Sequence, residues 1–175
     1  MKKILLFIFE IVKITIIALL IVVPIRIFIF QPFFVKGASM EPNYHNLDYL
    51  IVDEISYRLG EPQRGDVIIF YNPNDQSQRF IKRVIGLPGE TVKIADGNVY
   101  IKNSGEFKLL DESAYLPEGL KTLGQETIVL KDDQYFVMGD NRDSSYDSRR
   151  FGPVDKDLII GKSVLKLLQM QLFSN

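Results

Sequence analysis

The hydrophobic pattern divides the chain in two. From residue 4 to residue 30 apolar positions run almost without break, interrupted mainly by Glu10, Lys13 and Arg26. Beyond about residue 33 they fall into short runs bounded by Gly, Pro, Asn and Asp. A helix needs about 20 residues to cross a bilayer core, and the uncharged run 14–25 is only 12 residues long. A segment over 7–30 is long enough, because Lys13 and Arg26 stand near its ends, where basic side chains reach the headgroups. Glu10 and Lys13 can pair on one helix face. Pro24 predicts a kink, and Phe28, Phe30, Phe33 and Phe34 suit the far membrane boundary. The pattern thus predicts a cytoplasmic N-terminus over 1–6, a single transmembrane anchor over 7–30 and an extracytoplasmic body over 31–175. Lys2, Lys3 and Lys13 favour this orientation, and Arg26 and Lys36 weaken the bias. A cleaved leader is the alternative, with small residues at Gly37, Ala38 and Ser39. The length of the apolar stretch and the bulky Gln31-Pro32-Phe33-Phe34 argue for an anchor.

The body reads as β. Strands are predicted at 49–52, 66–71, 79–85, 91–94, 98–102, 135–138 and 158–164, each bounded by turn-forming residues. Ala95-Asp96-Gly97 marks a hairpin turn. Residues 53–60 suit a short helix or a strand extension. The stretch 102–126, rich in Gly, Pro and charge, reads as a reduced, non-catalytic insertion. The expected fold is mostly β, an antiparallel β-sheet or barrel-like catalytic body behind one N-terminal transmembrane helix.

Composition narrows the chemistry. The 175 residues include no cysteine and one histidine, His45. Disulfides, a Cys nucleophile and Cys- or His-rich zinc sites are excluded. A Ser–His–Asp triad would have to use His45, which reads most simply as a loop residue. The net charge of −1 gives no basic footprint for nucleic acid.

Ser39 stands between Gly37-Ala38 and Met40-Glu41-Pro42, where small neighbours let a substrate backbone approach. On local composition it is an ordinary loop serine as readily as a nucleophile. In a strand, Phe80, Lys82 and Val84 share one face. Burial there would lower the lysine pKa from about 10.4 by disfavouring the ammonium form. A neutral lysine could take a proton from serine. From pattern alone an edge-strand lysine that discourages aggregation is the commoner case. Residues 139–150 are dense in polar groups that support irregular backbone. Their acidic spacing does not match a calcium loop. Arg64-Gly65-Asp66 reads as a strand-opening turn.

In order, these segments resemble the type I signal peptidases, in the short single-anchor form. The resemblance rests on Ser39-Met40-Glu41-Pro42, residues 65–70, the lysine strand 79–89 and residues 139–149, and covers nearly the whole chain. It implies a serine endopeptidase, with Ser39 as nucleophile and Lys82 as general base through an acyl-enzyme. It implies that Ser145 orients the lysine, and that Asp140, Asp147 and Arg149 hold the site by ion pairing. It implies one oxyanion donor from the Ser39 N–H. Gly37 stands where some members carry a serine hydroxyl as the second donor, and Asn43 stands where threonine is usual. Phe80, Ile81 and Met40 are expected to touch substrate. The implied substrates are exported preproteins with small residues at the first and third positions before the cut. The implied surroundings are a lipid bilayer, with no cofactor or metal. A membrane-anchored β module that binds secreted or pilin-like proteins without cutting them is the alternative, as is a peptidase dedicated to few substrates.

Overall fold

The computed structural model describes the backbone of residues 2–28 and 30–167 and the side chains of residues 3–4, 6–22 and 33–166. Helix α1 (Lys2–Phe28) is 27 residues long. Its described apolar side chains, from Ile4 to Val22, are exposed on every side of the helix. Among the described residues no helix is long and apolar enough to cross a membrane. The stretch 6–22 carries Glu10 and Lys13. The side chains of Pro24, Arg26, Phe28 and Phe30 lie outside the described residues.

Strand structure starts earlier than the hydrophobic pattern predicts. Strand β1 (Phe30–Phe34) pairs antiparallel with β2 (Tyr49–Asp53), placing Phe33 opposite Leu50. Helix α1 ends at Phe28, and Phe33 packs on the body core. A bulky run such as Phe33-Phe34 satisfies a strand edge as well as a membrane interface, so periodicity could not separate the two. Phe34 remains exposed, its ring edge-on to Tyr49 at 5.1 Å.

The remaining strands are β3 (Val67–Asn72), β4 (Asp75–Gly86), β5 (Thr91–Ala95), β6 (Asn98–Lys102), β7 (Lys108–Leu109), β8 (Glu126–Val129), β9 (Gln134–Met138), β10 (Val154–Asp155) and β11 (Ile159–Leu167). They form two antiparallel sheets, one in the order β1-β2-β11-β3-β4-β9-β10 and one in the order β7-β6-β5-β8. The larger sheet keeps two open edges among the described residues, and its Ile85, Phe136 and Met138 pack with Val92, Ile94 and Val99 of the smaller sheet. The β5–β6 hairpin turns through Asp96 (φ 54°) and Gly97 (φ 80°). Two positive φ values in a two-residue loop match the right-handed strand twist. Residues 53–60 contain the short helix α2 (Ser56–Leu59), and α3 (Ser148–Phe151) follows β9.

Strand β4 feeds every part of the core. Ile85 packs with Val92, Ile94, Phe136 and Met138, joining the two sheets. Val84 packs with Ile68, Phe70 and Val137. Ile81 packs with Val35, Met40, Leu50 and Val67. A strand covered on both faces leaves no solvent side for the residues between these anchors. Lys82 and Arg83 are accordingly drawn inside with it.

Candidate active site

Ser39 sits in the loop after β1. The base of that loop is closed by Val35 N–H to Asp48 O (3.0 Å) and Leu47 N–H to Val35 O (2.8 Å). Gly37 takes φ 87°, a conformation that a residue without Cβ adopts at no steric cost, and its N–H donates to Asn46 Oδ1 at 2.9 Å. Met40 is fully buried, and Tyr44 N–H turns back to Met40 O at 2.9 Å. The expectation that Met40 touches substrate is therefore corrected. Its side chain packs with Val35, Leu50, Val67 and Ile81 in the core and so holds the serine turn down.

Lys82 is 4% exposed. Its Nζ donates to Ser39 Oγ at 2.8 Å and to the Ile81 carbonyl at 2.8 Å. The Phe80 ring lies 5.5 Å from Nζ. Burial pushes the Lys82 pKa down to about 8, and the nearby carboxylates of Asp147 and Asp140 partly oppose the shift. The amine is thus substantially neutral near pH 8, where it has a lone pair to accept the serine proton.

Residues 139–149 form the opposite wall. Asn141 N–H donates to Ser39 O at 3.1 Å, and Asn141 Nδ2 donates to Ala38 O at 3.1 Å. Arg149 grips the fully buried Asp147 through Nε (2.9 Å) and Nη2 (2.8 Å). Asp147 also accepts from Gly139 N–H at 3.0 Å. Burial raises its pKa, but Arg149 and the Gly139 amide outweigh that and hold the carboxyl below the usual range. Asp140 pairs with Arg83 through Nε (2.8 Å) and Nη2 (2.6 Å), and also accepts from Asn43 Nδ2 at 2.8 Å. Asn43, which stands where threonine is usual, ties the serine turn to Asp140 and to Tyr115 O, 2.6 Å away.

Ser145 is 6% exposed, and its buried Oγ has no hydrogen-bond partner among the described residues. It lies close enough to Asp147 to lower that carboxyl's pKa, yet the contact lacks hydrogen-bond geometry. Lys82 Nζ bonds Ser39 and Ile81, not Ser145. Gly139 packs against both Ser145 Oγ and the Ser39 carbonyl so tightly that a Cβ there would overlap them. The Ser39 N–H has no acceptor among the described residues, whereas the Gly37 N–H is engaged by Asn46.

Three site residues escaped the sequence reading. Arg83 left a signal, a second cation in an apolar strand. Arg142 is fully buried. It pairs with Glu112 (2.9 and 2.5 Å) and donates from Nε to Gly139 O at 3.1 Å. Glu112 belongs to the stretch 102–126, so part of that stretch braces the site wall. Nothing in the spacing of residues 112 and 142 announces the pair.

Ser39, Lys82, Phe80 and Ile81 open onto one cleft of about 780 Å³, bordered by Phe33, Phe34, Ser144 and Tyr146. A hydroxyl beside a desolvated amine, in an open cleft lined by strand β4, is equipped for acyl transfer.

The family model described as "Signal peptidase, peptidase S26" matches residues 8–168. A probable signal peptidase I-2 of Synechocystis is 37% identical over 163 residues, covering 90% of this chain and 72% of that protein. A signal peptidase I of Bacillus licheniformis is 38% identical over 160 residues, covering 89% and 86%. A solved signal peptidase I from Enterococcus faecalis is 35% identical and covers 59% of this chain and 97% of that one, with a TM-score of 0.48. The chain belongs to the signal peptidase family, peptidase S26, and is a serine peptidase of the signal-peptide-removing class. The reading as a binding module that does not cut is set aside.

Proposed function

We propose that the protein removes signal peptides from exported preproteins through an acyl-enzyme in which Ser39 is the nucleophile and Lys82 the general base. The observation that carries this reading is the buried Lys82 amine 2.8 Å from Ser39 Oγ. Neutral Nζ accepts the hydroxyl proton as Oγ bonds to the scissile carbonyl carbon. The Ser39 N–H donates to the developing oxyanion. The resulting ammonium gives its proton to the leaving amine as the C–N bond breaks. Lys82 then deprotonates a water that hydrolyses the ester, and Ser39 Oγ recovers a proton. As an ammonium, Nζ has three donors. Ser39 Oγ and Ile81 O take two, and the unpartnered Ser145 Oγ is assigned the third. Asp140, Asp147 and Arg149 keep the opposite wall rigid.

The substrate lies extended in the cleft against Phe80 and Ile81, with small side chains beside Ser39. Helix α1 anchors the protein in the bilayer as a single pass, with the body on the extracytoplasmic side. Its support is the helix's uniformly exposed apolar surface, which has no stable place in water. Joined directly to β1, it would hold the cleft beside the membrane from which a signal peptide emerges.

The test is processing of a preprotein by the full chain in membranes, comparing wild type with Ser39→Ala and Lys82→Ala. Each variant is expected to lose about a thousandfold or more in rate. Retained processing by either would overturn the pair. A protease-protection assay checks the topology, since a body shielded inside right-side-out vesicles would contradict it.

A further inference from the structure

We infer that Tyr146 is a specificity-determining residue, whose ring limits the size of the one substrate side chain seated against it. The inference rests on the proposed peptidase reading and adds a contact on the same cleft. Tyr146 borders the cleft together with Lys82 and Ser39 and remains 46% exposed. A half-exposed aromatic ring in a groove built for peptide presents a flat apolar surface to whatever enters.

The ring is not free to swing aside. It packs tilted against Phe151, centroid to centroid at 5.4 Å, and nearly perpendicular to Phe80 at 6.2 Å. Phe80 and Phe151 pack in turn on the buried Phe70. The backbone beneath is held on either side, by the buried Ser145 against Gly139 and by Asp147 in its pair with Arg149. Tyr146 is therefore a fixed wedge on a braced loop. A substrate residue that would overlap the ring has to be small. The phenol oxygen adds little, because its one bond among the described residues, from Asn74 Nδ2, is long at 3.4 Å. Size and apolarity, rather than hydrogen bonding, are what the position reads.

The experiment uses the full chain in detergent micelles and a peptide set based on one cleaved preprotein. Each position from three before to three after the cut carries alanine, leucine or phenylalanine in turn. Wild type, Tyr146→Phe and Tyr146→Ala are compared by kcat/KM at several pH values. The expected result for Tyr146→Ala is a gain of about tenfold for the bulky residue over alanine at one position. Its pH profile stays unchanged, and Tyr146→Phe behaves as wild type. An unchanged preference overturns the inference while wild-type cleavage leaves the peptidase reading intact. A uniform loss across all peptides with a displaced acidic limb also overturns it, since the ring would then serve to position Phe80 over Lys82. Wild type that cleaves none of the peptides or the parent preprotein would sink the peptidase reading and the inference with it.

Discussion

Lys82 Nζ donates to the carbonyl of its own chain neighbour Ile81 at 2.8 Å. The bond aims the amine along the strand toward Ser39 Oγ instead of letting the long side chain reach for solvent. A neutral amine so held spends one N–H on Ile81 and turns its lone pair to the serine.

The pH dependence of activity follows from that amine. With its pKa at about 8, Lys82 is mostly protonated at lower pH and could not serve there as the proposed base. We expect kcat/KM to fall about tenfold per unit below pH 8 and to level above it. A profile from pH 5.5 to 10 checks this. An acidic limb centred near pH 6 would contradict the assignment.

The same shift has a stability consequence. Lys82 is 4% exposed, and its pKa is lowered from 10.5 to about 8. Between those values the unfolded chain binds more protons than the folded one, so stability rises with pH through that window. Below pH 8 the full cost applies, roughly 3 kcal/mol at 1.36 kcal/mol per unit. Lys82→Met is therefore expected to raise Tm at pH 6, with the gain shrinking toward pH 10. Equal Tm differences at both pH values would refute the buried neutral amine.

Asp147 behaves in the opposite sense. Its pKa is held below the usual carboxylate value by Arg149 and the Gly139 N–H against the pull of burial. Its stabilisation is present above the unfolded pKa near 3.8 and is lost as pH falls through the folded value. Asp147→Asn leaves a mostly buried guanidinium uncompensated and is expected to cost about 3–5 kcal/mol. Urea unfolding at pH 7 measures it, and a loss under about 1 kcal/mol would show the pair to be solvent-screened.

Gly139→Ala tests the contact between the two loops of the site. The added Cβ would overlap Ser145 Oγ and the Ser39 carbonyl. One of these is backbone, so the serine loop must move. A displacement of about 1 Å can cost about a hundredfold in rate, and kcat should fall by that order while the chain stays folded by circular dichroism. Activity near wild type would mean the loops accommodate the methyl elsewhere.

Much of the fold was legible because the strands that matter most obey simple rules. Tyr49–Asp53 alternates between half-buried and buried positions, and Thr91–Ala95 and Asn98–Lys102 flank an Asp-Gly turn. What escaped was short or set by tertiary pairing. Lys108–Leu109 and Val154–Asp155 are strands only because a partner passes beside them. Phe30–Phe34 continues an apolar run, and only its pairing with β2 makes it a strand.

The sequence by itself determined the chemistry on offer. Without cysteine and with one histidine, a lysine was the natural base for a serine, and the Phe80–Val84 face showed how it could be neutral. Tertiary structure alone decided the rest, because burial and distance are properties of packing between segments far apart in the chain. It brought Ser39 and Lys82 together across 43 positions. It sent Met40 into the core and Tyr146 into the cleft, and joined Glu112 to Arg142 through a stretch with no visible periodicity. Local pattern sets which face a side chain takes, but which other segment that face meets depends on the whole fold.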